Sequence, residues 1–239
     1  MTNHRRIGCK FFLELIFALT AYALIYLALG TVSVNASRKE VIITANEIPA
    51  LILVNTFFVL AIFLGTVVLL QVLFHFGFTR LSFRRHSLIS FLSMVFWGTL
   101  LLVGVSFFTN LLSAQIIGRE ELNPVISALA DYFTESPSRM LLAPLAMLFM
   151  AGIPEETLRS YVLSIPLSAR SAFLSLPTLL LTSIFFATGH LYQGVGAVIQ
   201  TFFIGLCIGL IYLVRKSLWE VIWIHSLYNT LAIILMPTI

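Results

Sequence analysis

Five ionisable side chains and one amide stand where this chain is otherwise apolar. Glu155, Glu156 and Arg159 lie in Ala-Gly-Ile-Pro-Glu-Glu-Thr-Leu-Arg-Ser-Tyr, His190 in Phe-Phe-Ala-Thr-Gly-His-Leu-Tyr, and His225 and Asn229 in Trp-Ile-His-Ser-Leu-Tyr-Asn. An ionisable group inside a bilayer is costly, so each one marks a candidate site and needs a partner. Helical residues three and four apart share a face. Arg159 can therefore meet Glu155 or Glu156, and His225 lies beside Asn229. A carboxylate and an imidazole facing one water can draw off its proton as it attacks a carbonyl. A second imidazole and an amide can donate to the oxyanion that develops. Such a set hydrolyses an amide or ester without a covalent intermediate. Two His and one Glu with an open position could equally hold zinc, and spacing does not choose between the two. No Ser or Cys has an evident base beside it in sequence, which weakens nucleophilic catalysis.

The elements that must position these groups follow from composition. Of 239 residues, 59% are hydrophobic and 10% charged, far from the roughly 45–50% and 25% of soluble domains. Disorder, collagen, a disulfide scaffold and an ordinary cytosolic enzyme are excluded. The expected fold is all-α, a polytopic transmembrane helical bundle, because a span needs roughly 20 mostly apolar residues. About seven segments qualify, near 11–32, 50–76, 88–112, 140–165, 177–193, 196–214 and 217–237. The net charge of +4 reads as basic loops of a membrane protein, with no nucleic-acid partner. With the amino terminus in the cytoplasm, Arg5, Arg6, Lys10, Arg80, Arg84, Arg85, Arg170, Arg215 and Lys216 fall inside. Arg38, Lys39, Arg119 and Arg139 fall outside, giving nine against four, the asymmetry of the positive-inside rule. The segment 115–139, with Glu120, Glu121, Asp131 and Glu135, is then an outer loop. Glu14 and Glu220 lie within about a turn of the inner boundary and are expected to snorkel to it.

Helix arithmetic brings the polar groups to a common depth. At about 1.5 Å per residue, Glu155 lies about 16 Å from Pro166, taken as the inner end of its helix. With Pro177 in the first turn of the next helix, His190 lies about 20 Å from the same side. His225 and Asn229 lie about 12 and 18 Å from Ser217. A fifth helix starting at Ser171 would carry His190 about 9 Å further out and require tilt.

In this order the motifs resemble the CPBP family of intramembrane endopeptidases, which includes CAAX-processing and bacteriocin-processing enzymes. They are Glu155-Glu156…Arg159, Phe186-x-x-x-His190 and His225-x-x-x-Asn229. The likeness covers about residues 140–236. It implies one membrane domain in which residues 1–139 supply amino-terminal helices and the outer loop, and 140–239 the catalytic core. One departure concerns the first motif, Glu-Glu-x-x-x-Arg in the family, where this chain has only Thr157 and Leu158 before Arg159. By resemblance, Glu155 or Glu156 with His190 activates water, His225 with Asn229 stabilises the oxyanion, and Arg159 orients the acidic pair. The implied mechanism is glutamate-dependent, with no cofactor and no metal, zinc being the alternative. The implied partners are the bilayer and a membrane-anchored or lipidated peptide. With no eukaryotic targeting motif in the sequence, the expected location is a prokaryotic plasma membrane. Two other classes compete: a non-catalytic protein of the same fold, such as an immunity or assembly factor, and an ion-coupled transporter. Visible internal repeats, which a transporter would favour, are not found.

Reporter fusions at Arg84 and Lys216 are expected to read cytoplasmic and one at Asp131 external. A cytoplasmic signal at Asp131 would overturn this topology.

Overall fold

The computed structural model describes residues 9–37, 47–74, 81–118, 123–169 and 171–235. Arg5, Arg6, Arg38, Lys39, Arg80, Arg119, Glu120, Glu121 and Arg170, which enter the charge reading above, lie outside the described residues. The described chain is helical, in the order α1 (Cys9–Ser37), α2 (Ile48–Phe74), α3 (Leu88–Ile116), α4 (Pro124–Thr134) and α5 (Pro137–Met147), then a π-turn (Leu148–Gly152), α6 (Ile153–Ser168), α7 (Ala172–Thr188), a 3₁₀ turn (Leu191–Gln193), α8 (Val195–Arg215) and α9 (Leu218–Leu235). Among the described residues six helical segments, with α5 to α6 counted as one, are long and apolar enough to cross a membrane. A seventh apolar stretch, Phe173–Thr188, is shorter. The chain is a multi-pass membrane protein. Its lipid-exposed sides carry Phe57, Leu88, Ile89, Leu141 and Phe173, all far more exposed than any core residue.

Local chemistry starts the helices. Ser87, Asn123, Ser136 and Ser171 each accept a backbone N–H from the first turn that follows, the role for which short polar side chains are favoured at N-caps. Pro124 and Pro137 follow two of these caps, where a missing N–H costs nothing. Ser171, not Pro177, begins α7, and Pro177 sits inside that helix. Pro166 likewise lies within α6, which runs on to Ser168. These two prolines were expected at helix ends. A strong serine cap overrides the first, and the second falls in a last turn where one lost hydrogen bond is tolerated.

The wide turn before α6 has a physical cause. Pro154 has no N–H to offer and its ring crowds the carbonyl four residues back. The Ile153 N–H reaches instead to the Leu148 carbonyl, five residues back. π-turns of this kind recur at functional sites. Gly152 ends the turn at a close approach to α9, since a Cβ there would strike Ser226 Oγ and lie 2.9 Å from the Ile222 carbonyl oxygen.

The segment 115–139 is more than a polar loop. Within it α4 buries Leu129, Ala130 and Phe133 against Ile48, Ala143, Met147 and Ile233. The main core gathers Tyr22, Tyr26, Phe63, Leu158, Tyr161, Phe186 and Ile224 from five helices and lies around α6. Helix α6 packs on α1, α2, α7, α8 and α9, and from Pro154 to Pro166 all of it but Glu155 is buried.

Gly152→Ala is expected to destabilise the protein by about 1–3 kcal/mol, the cost of overpacking against backbone that cannot yield. Gly104→Ala, which meets open space in α3, should not lower the unfolding midpoint. Thermal unfolding of both variants in one detergent checks the difference.

Candidate functional site

The first turn of α6 holds Glu155 and Glu156, and the π-turn before it aims them between α9 and α1. Consecutive helical residues are rotated by about 100°, so the two carboxylates enter different surroundings. The Glu156 side chain is 1% exposed. Its Oε1 accepts from His225 Nδ1 at 2.7 Å and lies 3.4 Å from Arg159 Nη2. The Glu155 side chain retains 16% exposure. Its Oε2 stands 3.9 Å from His225 Nε2 and is a buried oxygen with no hydrogen-bond partner.

Arg159 therefore pairs with the glutamate three residues before it. The alternative pairing with Glu155, one full turn away, is not formed. Arg159 Nη2 and His225 Nδ1 of α9 converge on the same Glu156 oxygen. Arg159 is fully buried. Its Nε donates to the Tyr22 hydroxyl at 3.4 Å, and its Cζ lies 3.9 Å over the Phe186 ring, a cation–π contact strengthened by burial.

His190 does not close α7. It lies past Gly189, where the helix has already ended, and its ring folds back over the preceding turn. Nδ1 is 3.0 Å from the Phe186 carbonyl oxygen. A carbonyl can only accept, so Nδ1 carries the proton and Nε2 keeps its lone pair. The same argument puts a proton on His225 Nδ1 and turns Nε2 toward Glu155. Both imidazoles pack edge-on against Phe186, with centroids 4.9 and 5.8 Å away. That ring is the hub joining Arg159, His190 and His225. A helix from Ser171 would by length alone carry His190 outward; the break at Gly189 and the return of the ring keep it at the hub.

Asn229 is half-buried on α9 one turn past His225, and among the described residues it makes no hydrogen bond to the others. Glu155, Glu156, Arg159, His190 and His225 are brought together; Asn229 is a neighbour by helix face alone. Among the described residues no three His, Cys, Asp or Glu side chains are grouped to hold a metal ion. His225 Nδ1 and His190 Nδ1 are held by Glu156 and by the Phe186 carbonyl.

Two site residues escaped the sequence reading. Tyr22 and Tyr26 of α1 stack with centroids 4.6 Å apart, and Tyr26 meets Phe186 edge-on at 5.6 Å. The Tyr26 hydroxyl, Arg159 Nη1 and Nη2, and Glu155 Oε2 are buried without hydrogen-bond partners among the described residues. The signal was available in the spacing: two phenols four residues apart in an otherwise apolar span share one helix face. Glu14 and Glu220 also differ from expectation. Each is fully buried: Glu14 accepts from Tyr161 at 2.9 Å, and Glu220 accepts twice from Arg215, at 2.7 and 2.9 Å. A partner near the helix end removes the need to reach for water.

Residues 137–231 match the family described as Type II CAAX prenyl endopeptidase, Rce1-like. The chain matches no curated protein and no solved structure. The match contains each of the six polar residues of the opening motifs.

Glu156→Ala leaves Arg159 buried without its counter-charge. Breaking a buried pair in this way costs about 3–5 kcal/mol, so thermal unfolding should show a large loss. Glu155→Ala, which removes a carboxylate with a free oxygen, should cost much less.

Proposed function

From the place of residues 137–231 in the Rce1-like CAAX protease family, we propose an intramembrane endopeptidase that hydrolyses a peptide bond near the carboxy terminus of a prenylated, membrane-held substrate. One observation carries the assignment of roles: of the two adjacent carboxylates, Glu155 has a buried oxygen with no hydrogen-bond partner among the described residues, and it stands 3.9 Å from His225 Nε2. Glu156 is committed to His225 and Arg159 and acts as the orienting partner.

In this mechanism Glu155 is the general base. It takes a proton from the water that attacks the scissile carbonyl carbon, forming the carbon–oxygen bond while the carbonyl becomes an oxyanion. His190 Nε2, with its lone pair free, accepts the water's second hydrogen and fixes its direction. His225, oriented by Glu156 through Nδ1, and Asn229 stabilise the oxyanion once substrate is bound. Collapse of the intermediate breaks the carbon–nitrogen bond, and protonated Glu155 returns its proton to the leaving amine. The Tyr26 hydroxyl and Arg159 Nη1, buried without hydrogen-bond partners among the described residues, are donors left over for substrate carbonyls, the sort of buried orphan that calls for explanation. No step requires a metal.

A second reading, a non-catalytic member of the same fold, is favoured by the shortened first motif. Turnover decides between them. With a farnesylated CAAX peptide in detergent, wild type should cleave, and Glu155→Gln should lose about 10²-fold or more in kcat, a general-base effect. His190→Ala should lose a comparable amount, and both variants should keep the wild-type unfolding midpoint. Full activity in Glu155→Gln would remove Glu155 as the base, and a wild type inert on every CAAX peptide would favour the second reading.

A further inference from the structure

The turn between α8 and α9 connects two membrane-spanning helices, so Lys216 and Ser217 lie at a membrane surface. The segment leading into α3 is tied to this turn as a short antiparallel pairing. Phe83 bridges Ser217, the Arg84 N–H donates to the Lys216 carbonyl at 3.3 Å, and the Leu218 N–H to the Ser82 carbonyl at 2.9 Å. Ser82 Oγ also donates to the Lys216 carbonyl.

Two features of this clasp oppose stability. The pairing sets Arg84 directly across from Lys216, and like charges in that position repel. Lys216 is also the one described non-glycine residue with positive φ, at 54°, in the position after a helix end that glycine usually fills. Both side chains are exposed, and among the described residues neither forms an ion pair. The nearby acid gives no relief, since Glu220 is taken up by Arg215, which also donates to Ser90. Beside the cations, Phe83 and Trp219 stack obliquely with centroids 6.0 Å apart. They are 44% and 48% exposed, as aromatic anchors at the headgroup level are.

We propose that Arg84 and Lys216 bind the phosphate of an anionic phospholipid, with Phe83 and Trp219 holding the glycerol and upper acyl region beside it. An anion between the two cations relieves their repulsion and accounts for a lysine in a glycine position. The lipid is favoured over free phosphate because the cations stand at the rim of an apolar surface, with an exposed aromatic pair on the same rim. The site lies on the segment before α3, the turn between α8 and α9 and the first turn of α9, apart from the residues of the proposed mechanism.

Thermal unfolding of the whole chain in a zwitterionic detergent tests this, titrated with short-chain phosphatidylglycerol, short-chain phosphatidylcholine or inorganic phosphate. Phosphatidylglycerol should raise the wild-type midpoint beyond phosphatidylcholine, and phosphate should leave it unmoved. Arg84→Gln with Lys216→Asn, asparagine being tolerant of the left-handed region, should weaken the phosphatidylglycerol effect about tenfold or more in apparent affinity. Without lipid that variant should unfold no earlier than wild type, because it removes a repulsion and a strain. Arg139→Gln, beyond the other end of α3, should keep the full lipid response. If the double variant fails to fold, Arg84→Gln alone is read the same way. An equal shift from inorganic phosphate, an equal shift from phosphatidylcholine, or an undiminished phosphatidylglycerol effect in the variant would overturn the proposal.

Discussion

A fully buried guanidinium among membrane helices sets the terms for everything around it. Stripping an ion of water costs several kcal/mol even after relaxation, about as much as a small domain's margin of stability. Arg159 meets that cost with partners drawn from different elements: the Glu156 carboxylate on its own helix, the Tyr22 hydroxyl from α1, and the Phe186 face from α7. Glu156 in turn reaches His225 on α9. The network thus pins four helices to one another at the point where the polar residues meet. Apolar packing alone would not do so, because lipid tails are as good a neighbour for leucine as another helix is.

The two adjacent glutamates show how one turn of helix divides labour. A regular helix running through residues 147–156 would fix their directions by sequence position alone. Pro154 forbids one hydrogen bond, the ladder slips to a π-turn, and Gly152 lets that turn lie against α9. Glu156 is thereby carried to a place where both its neighbours are cationic or hydrogen-bonding, and Glu155 to one where an oxygen stays free. The phenylalanine that precedes His190 by four has a comparable double role: its ring carries the cation–π contact and both imidazoles, while its carbonyl fixes the His190 tautomer.

The order of motifs and the apolar spans were legible in the chain because each rests on local rules. A run of some 20 apolar residues must be a helix in lipid, where no water can satisfy its backbone. Ionisable groups within such runs must converge, since none can be left alone. From those two constraints came the all-helical membrane fold and the five ionisable candidates, and the order of their motifs carried the resemblance later matched over residues 137–231. The Ser171 cap that starts α7 is legible in the sequence too, and it outcompetes the preference of Pro177 for a first turn.

Tertiary structure decided the rest. Spacing allowed Arg159 either glutamate, and in the fold it meets Glu156, whose carboxylate also holds His225 of α9. Spacing placed His190 at a helix end, and the break at Gly189 with the return to Phe186 set its ring and tautomer. Glu14 and Glu220 looked like groups that reach for water, yet each is buried because a neighbouring helix or turn supplies a donor. Tyr22 and Tyr26 joined the site from a span more than a hundred residues away. A sequence fixes which side chains need partners; which partner each one gets depends on where another helix happens to cross, and that is set by packing over the whole bundle.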